Sequence, residues 1–122
     1  MSIEPVERWV DILRRTILAL VRRDGPDLTA RQLRVFLTCY LEDEAQTVRG
    51  LAVQLNIARA TISRALDRLS EFDLVRRKTD PLDRRSVLVQ RTATGAEFLS
   101  DLDEMLADAE READRAPSDA GR

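Results

Sequence analysis

TVRGLAVQLNIARATISRALDRLSEFDLVRRKTDPLDRRSVLVQRT, residues 47–92, is the stretch that decides how this chain folds. Thr47 is placed to cap a short helix running to about Leu55, buried through Val48, Leu51, Ala52 and Leu55. Asn56 tolerates a left-handed backbone and marks the exit. A longer helix then runs from about Ala58 to Phe72, with Ile62, Ala65, Leu66, Leu69 and Phe72 on one face. Arg59, Thr61, Ser63, Arg64 and Arg68 project from the rest. The period changes after Asp73: Leu74 to Lys78 reads as a strand, Asp80-Pro81-Leu82-Asp83 as a turn, and Ser86 to Gln90 as a β-branched strand. The order is short helix, tight turn, longer helix, basic hairpin.

Two helices are predicted ahead of this stretch. Residues 4–23 place Val6, Trp9, Val10, Leu13, Ile17, Leu20 and Val21 at spacings of three and four, and Arg22, Arg23, Gly25 and Pro26 form the stop. Thr29 with Gln32 matches a capping box and opens a helix over 29–43, striped by Leu33, Phe36, Leu37, Tyr40 and Leu41. Beyond the hairpin, Thr92 or Thr94 caps a last helix to about residue 115; Thr94-x-x-Glu97 is a second capping-box match. Leu99, Leu102, Leu106, Ala109 and Ala113 form a narrow stripe on it, the seam expected of a helix packed on a partner helix. Residues 116–122 read as a disordered tail. The whole is one domain over 1–115, mainly α with a small β-hairpin and about five helices, with residues 28–92 as its core.

Composition narrows the chemistry. Among 122 residues there is no histidine and one cysteine. The commonest general base and metal ligand are therefore missing, and no internal disulfide can form. The four glycines make no phosphate loop, and the carboxylates lack calcium-loop spacing. No catalytic residues, metal or cofactor are expected, and the chain does not read as an enzyme. It has neither an apolar run of about 18 residues nor a signal-peptide pattern, so a cytoplasmic protein without a membrane span is expected. The net charge of −2 hides an asymmetry: residues 1–58 are neutral, 59–91 carry +4 and 92–122 carry −6. A basic middle beside an acidic end suggests that one part meets a polyanion. Cys39 reads as a small buried thiol rather than a redox sensor, Trp9 as a core or interface anchor, and Tyr40 as packed with its hydroxyl near the surface.

A helix with one buried face and a cationic outer face, preceded by a short helix and a tight turn, suits the major groove of duplex DNA. Its N-terminal half reaches base edges in such motifs, and here it carries Arg59, Thr61, Ser63 and Arg64. Arginine bonds guanine N7 and O6; threonine and serine bond several edges or a phosphate. Arg68, further along, is a candidate for DNA or for pairing with Asp67 or Glu71. Arg84 and Arg85 follow the hairpin turn, where an arginine suits the narrow minor groove, and Asp83 would hold an arginine in one rotamer. One of Arg76, Arg77 and Lys78 is expected to touch phosphate.

Residues 28–98 resemble the MarR family of winged helix-turn-helix proteins. The matching phrases are Leu28-Thr29-x-x-Gln32, the helix from Ala60 to Leu69, the hairpin or wing from Asp80 to Val89, and Thr92-x-x-Gly95. The resemblance implies a DNA-binding transcriptional regulator, usually a homodimeric repressor on a pseudo-palindromic operator. It implies that Arg85 is the minor-groove arginine of the wing tip, oriented by Asp83. It also implies that the first and last helices form the dimer, through Trp9, Leu13, Ile17, Leu99, Leu102 and Leu106. The chain departs from the family pattern at Leu82 (often arginine), Asp73 (usually glycine), Arg91 (usually leucine) and Ala58 (near a capping serine). A small-molecule effector between the dimer helices is possible in such a protein, but no residue cluster demands one. Two other readings fit the pattern: a winged helix that pairs with another regulator, and an architectural or replication-linked DNA binder.

Overall fold

A computed structural model describes residues 5–115. The chain divides into two compact units, one spanning Leu28–Leu99 and the other combining the segments up to Asp27 and from Ser100 onward. The elements run α1 (Pro5–Arg22), α2 (Ala30–Leu41), β1 (Gln46–Thr47), α3 (Val48–Leu55), α4 (Arg59–Glu71), β2 (Val75–Asp80), β3 (Asp83–Arg91) and α5 (Ala93–Arg115). The fold is a winged helix-turn-helix with five helices among the described residues. The side chain of Val6 and the expected disordered tail, 116–122, lie outside the described residues.

The unit from 28 to 99 is built on a core of Val35, Phe36, Leu51, Ile62, Leu66, Leu69, Leu74 and Val75, all under 2 % exposed. Burying each of these side chains contributes roughly 1.5–3 kcal/mol. Phe36 stacks on Tyr40 at 4.5 Å and meets Phe98 edge-on at 5.2 Å. Helix ends are set by local chemistry. The Thr29 hydroxyl accepts from the Gln32 amide while the Gln32 side chain accepts from the Thr29 amide, a complete capping box. Thr47 accepts from the Gly50 amide to start α3, and Asn56 ends it in the left-handed region at φ 54°. Asp73 also takes a positive φ, 57°. Aspartate tolerates this better than most side chains, and the Asp73 turn is held by three contacts. Thr94 Oγ1 donates to its carboxylate at 3.2 Å, Thr92 Oγ1 donates to its carbonyl at 2.6 Å, and Arg76 pairs with it at 3.4 Å.

Three expectations change here. The hairpin strands are longer than the sequence suggests, reaching Asp80 and starting at Asp83, so that Pro81 and Leu82 alone make the turn. The extra residues escaped a hydrophobic-pattern reading because the hairpin projects beyond the core: of β2, only Val75 is buried. A third strand, Gln46–Thr47, pairs antiparallel with β3 at Val89 and Leu88, giving the order β1-β3-β2. The last helix is capped by Thr92, whose Oγ1 accepts from the Gly95 amide at 2.9 Å; Thr94 lies inside the helix and turns to Asp73, so the Thr94–Glu97 box does not form.

Tyr40 corrects a further expectation. Its hydroxyl is interior, donating to the Leu74 carbonyl at 2.6 Å and accepting from the Thr92 amide at 3.0 Å. Arg91, at the end of β3, reaches back to the C-terminus of α2. Its Nε donates to the Cys39 carbonyl at 2.9 Å and its Nη2 to the Glu42 carbonyl at 2.5 Å. A cation bonding the last carbonyls of a helix satisfies acceptors that have no intrahelical partner.

In the other unit, α1 buries Ile12 against Ala109 and Ala113 of α5. Asp11 and Thr16 share that buried face. Arg14 and Arg15 both bond the Asp11 carboxylate, at 2.6 and 2.9 Å. The guanidinium of Arg15, then that of Arg14, hold this carboxyl below the usual carboxylate range. Arg8 bridges to Asp114 and Glu110, Arg15 to Glu112, and Arg23 to Asp101. In these pairs the arginines are half-buried and the carboxylates exposed; pairs open to solvent on one side contribute about 0–1 kcal/mol each, so they set register more than stability. The stripe read from the sequence of α1 is not a core stripe: Trp9, Leu13 and Ile17 are 64 %, 55 % and 49 % exposed. On α5 the expected seam divides. Leu102, Ala109 and Ala113 are buried within the chain, Leu99 is half-buried, and Leu106 is exposed. Leu102 is thus packed inside its own chain, and of the three leucines only Leu106 stands clear at the surface.

Candidate nucleic-acid interface

α4 has a buried face of Ile62, Ala65, Leu66 and Leu69. This leaves Arg59, Arg64, Asp67 and Arg68 exposed and Thr61 and Ser63 half-exposed. Ala58 offers no side chain to cap it. The free amides and positive end of the helix dipole at its first turn favour an anion there. Arg64 Nη2 donates to Thr61 Oγ1 at 3.2 Å. Arg68 is held differently: it pairs with Glu71 at 2.9 Å and lies over the Phe72 ring at 4.6 Å.

The wing is tied to this helix by Arg77 of β2, which donates to Asp67 at 2.5 Å. At its tip the Asp80 carboxylate accepts from the Leu82 amide at 2.9 Å, closing the turn. Asp83 accepts from the Arg85 amide at 3.1 Å and from Ser86 Oγ at 3.4 Å. Its contact with the Arg85 guanidinium is looser, 3.6 Å. Asp83 therefore organises the backbone around Arg85 more than it grips the side chain, which is 95 % exposed.

A cleft of about 390 Å³ lies between the start of α3, the start of α4 and the wing. It is lined by Val48, Arg49, Arg59, Ser63, Arg77, Asp83, Arg85, Ser86 and Val87. Four arginines from four elements converge on it against one aspartate. Of the residues read from sequence, Arg59, Ser63, Asp83 and Arg85 line it. Thr61, Arg64, Arg68 and Arg84 do not. Arg84 follows from strand parity: Arg85, Val87 and Val89 alternate to one face of β3 and Arg84 to the other. Arg49 was not singled out by sequence, and Arg77 only as one of three, with Arg76 and Lys78, of which one is expected to touch phosphate. The signal for Arg77 was the same parity, since it pairs with Val89 and shares a strand face with buried Val75. That for Arg49 was its place two residues after the Thr47 cap.

Cys39 is buried, and burial pushes its thiol up to about 11, so it is an unreactive packed side chain. Among the described residues no helix is long and apolar enough to cross a membrane.

The model of the MarR family matches residues 28–87, which hold the α2 to β3 core and the cleft just described. The winged-helix core of this chain belongs to the MarR family. Solved structures with the same fold include a point mutant of MepR from S. aureus, with a TM-score of 0.70 and 19 % identity, covering 84 % of this chain and 73 % of that one. The transcriptional regulator Tm0710 from Thermotoga maritima gives 0.63 and 23 %, covering 93 % and 74 %. Reduced AbfR, solved bound to DNA, gives 0.63 and 21 %, covering 84 % and 70 %. No curated protein sequence matches the chain. Within this MarR-family core the departures have visible accommodations: Asp73 supplies the left-handed turn with its own carboxylate bonded, and Arg91 becomes a cap for α2.

Proposed function

We propose that the chain is a sequence-specific, double-stranded DNA-binding regulator of transcription, acting in the cytoplasm as a homodimeric repressor on a pseudo-palindromic site. The observation that carries this reading is the convergence of Arg49, Arg59, Arg77 and Arg85 on one cleft between α4 and the wing. α4 lies in the major groove, with Arg59, Thr61, Ser63 and Arg64 facing base edges. Arg85 enters the adjacent minor groove, held by the turn that Asp83 organises. Arg49, Arg68, Arg77 and Arg84 serve the phosphates that flank these contacts.

The dimer is part of the proposal. Trp9, Ile12, Leu13, Leu106 and Ala107 line an apolar groove on the α1–α5 unit, and Ile17, Val10 and Val21 extend the exposed apolar face along α1. A second copy covers such a face by two-fold symmetry. Two recognition helices related in this way contact half-sites about one helical turn, roughly 34 Å, apart.

The test is selection of bound fragments from a random duplex pool by the purified full chain, with its mass measured by sedimentation. An enriched inverted repeat with half-sites about 10 base pairs apart, bound by two copies, is expected. Enrichment of no sequence, with equal affinity for all duplexes, would point to an architectural binder instead; failure to bind duplex at all would leave a protein-pairing module.

A further inference from the structure

One residue of the wing is unexplained by the contacts above. Leu82 occupies the second position of the two-residue turn and is 95 % exposed, more than any other large apolar side chain among the described residues. A lone exposed leucine is ordinary on a protein surface; its place is not. It sits at the far end of a hairpin whose only buried β2 residue is Val75 at the opposite end. The turn that presents it is stiff. Pro81 fixes its own φ, and the Leu82 amide is bonded to Asp80 at 2.9 Å. Arg84 and Arg85 follow within three residues. The carboxylates on either side, Asp80 and Asp83, already accept bonds from the turn itself.

We infer that Leu82 is an apolar contact for the minor groove, seated against the deoxyribose walls of an A·T-rich segment while Arg85 enters the same groove and Arg84 neutralises a phosphate beside it. This rests on the reading of the wing as a DNA contact. The chemistry selects A·T pairs. The walls of the minor groove are sugar C–H groups that an aliphatic chain packs against. A G·C pair adds the guanine N2 amine, a donor that leucine would desolvate without bonding. Apolar side chains inserted from the minor-groove side, accompanied by arginines, are an effective way of holding duplex DNA. Because the turn is already rigid, little conformational freedom is lost when Leu82 is buried.

The experiment uses the full chain and a 25-base-pair duplex chosen by the wild type from a random pool, with affinity read by fluorescence anisotropy over a series of salt concentrations. Leu82→Ala and Leu82→Asn are expected to weaken binding by ~5–20-fold, and Leu82→Met, which keeps the apolar volume, by less than ~3-fold. None removes a charge, so the slope of log affinity against log salt stays at its wild-type value. Hydroxyl-radical cleavage, which reads access to the deoxyriboses, is expected to rise at the wing positions with Leu82→Ala. Binding of Leu82→Ala within ~2-fold of wild type overturns the inference. So does a loss accompanied by a changed salt slope, because then the wing has rearranged. If Arg85→Ala is weakened with a shallower slope while Leu82→Ala is silent, the wing reading stands and only the role of Leu82 falls. If wild type binds no duplex, both fall.

Discussion

Adding a single methyl group at Gly95 should unseat the joint between helix and wing. Gly95 lies buried in the first turn of α5, and a Cβ built there overlaps both the Tyr40 hydroxyl and the Leu74 carbonyl oxygen, where ~3.5 Å is needed. The carbonyl belongs to the backbone entering β2 and cannot yield without moving the sheet. Tyr40 must therefore move, and its hydroxyl leaves the Leu74 carbonyl and the Thr92 amide unpaired. Overpacking costs about 1–3 kcal/mol, and each of the two orphaned buried groups about another 1–3 kcal/mol, so Gly95→Ala should lose ~3–9 kcal/mol. At ~4 °C per kcal/mol for a chain of this size, the melting temperature falls by ~12 °C or more. Thermal denaturation followed by circular dichroism reads this directly. Adding Tyr40→Phe to Gly95→Ala should recover only part of the loss, because the overlap with the Leu74 carbonyl remains. A melting temperature within ~3 °C of wild type for Gly95→Ala would refute the packing argument.

Three further outcomes are expected. Arg91→Met keeps the apolar stem but removes the bonds to the Cys39 and Glu42 carbonyls, and should cost about 1–3 kcal/mol in urea denaturation. The carboxyl of Asp11 is held below its ordinary range by Arg15 and Arg14, so the stability it adds is present above the unfolded value of ~3.9 and is lost as pH falls through the lower folded value. Asp11→Asn should therefore lose about 1–2 kcal/mol near neutral pH and flatten the acid limb of a urea-midpoint profile below pH ~4, a profile that wild type shows steep. Leu13→Glu or Ile17→Glu, on the exposed face of α1, should halve the mass seen in sedimentation and leave the monomer folded. Unchanged mass in both variants would place the subunit contact elsewhere or remove it.

Much of the fold was legible because its signals are local. The Thr29–Gln32 box, the Thr47 cap and the left-handed Asn56 depend on residues within one turn of each other, and all three form. The cationic face of α4 and the arginines of the turn were legible from period and position. What escaped the sequence depends on distant partners. β1 is two residues long, too short for alternation to register, and exists because Val89 and Leu88 of β3 pair with it. Thr92 rather than Thr94 caps α5 because Thr94 is drawn to Asp73, 21 residues away. Tyr40 has an interior hydroxyl because Leu74 and Thr92 meet it there. Periodicity on α1 marked an apolar face without saying what covers it, and within the chain that face stays exposed. Arg49 and Arg77 join the candidate site only through the way α3 and β2 flank α4.

The central claim is that arginines of α4 and of the wing tip act on one duplex from one side. Its most direct measurement is the salt dependence of duplex binding for wild type, Arg59→Ala, Arg85→Ala and the double variant. Each lost cation should lower the slope of log affinity against log salt by about one, and the double variant by about two, with affinity falling at every salt concentration. Slopes and affinities that stay at the wild-type value in all three variants would contradict it.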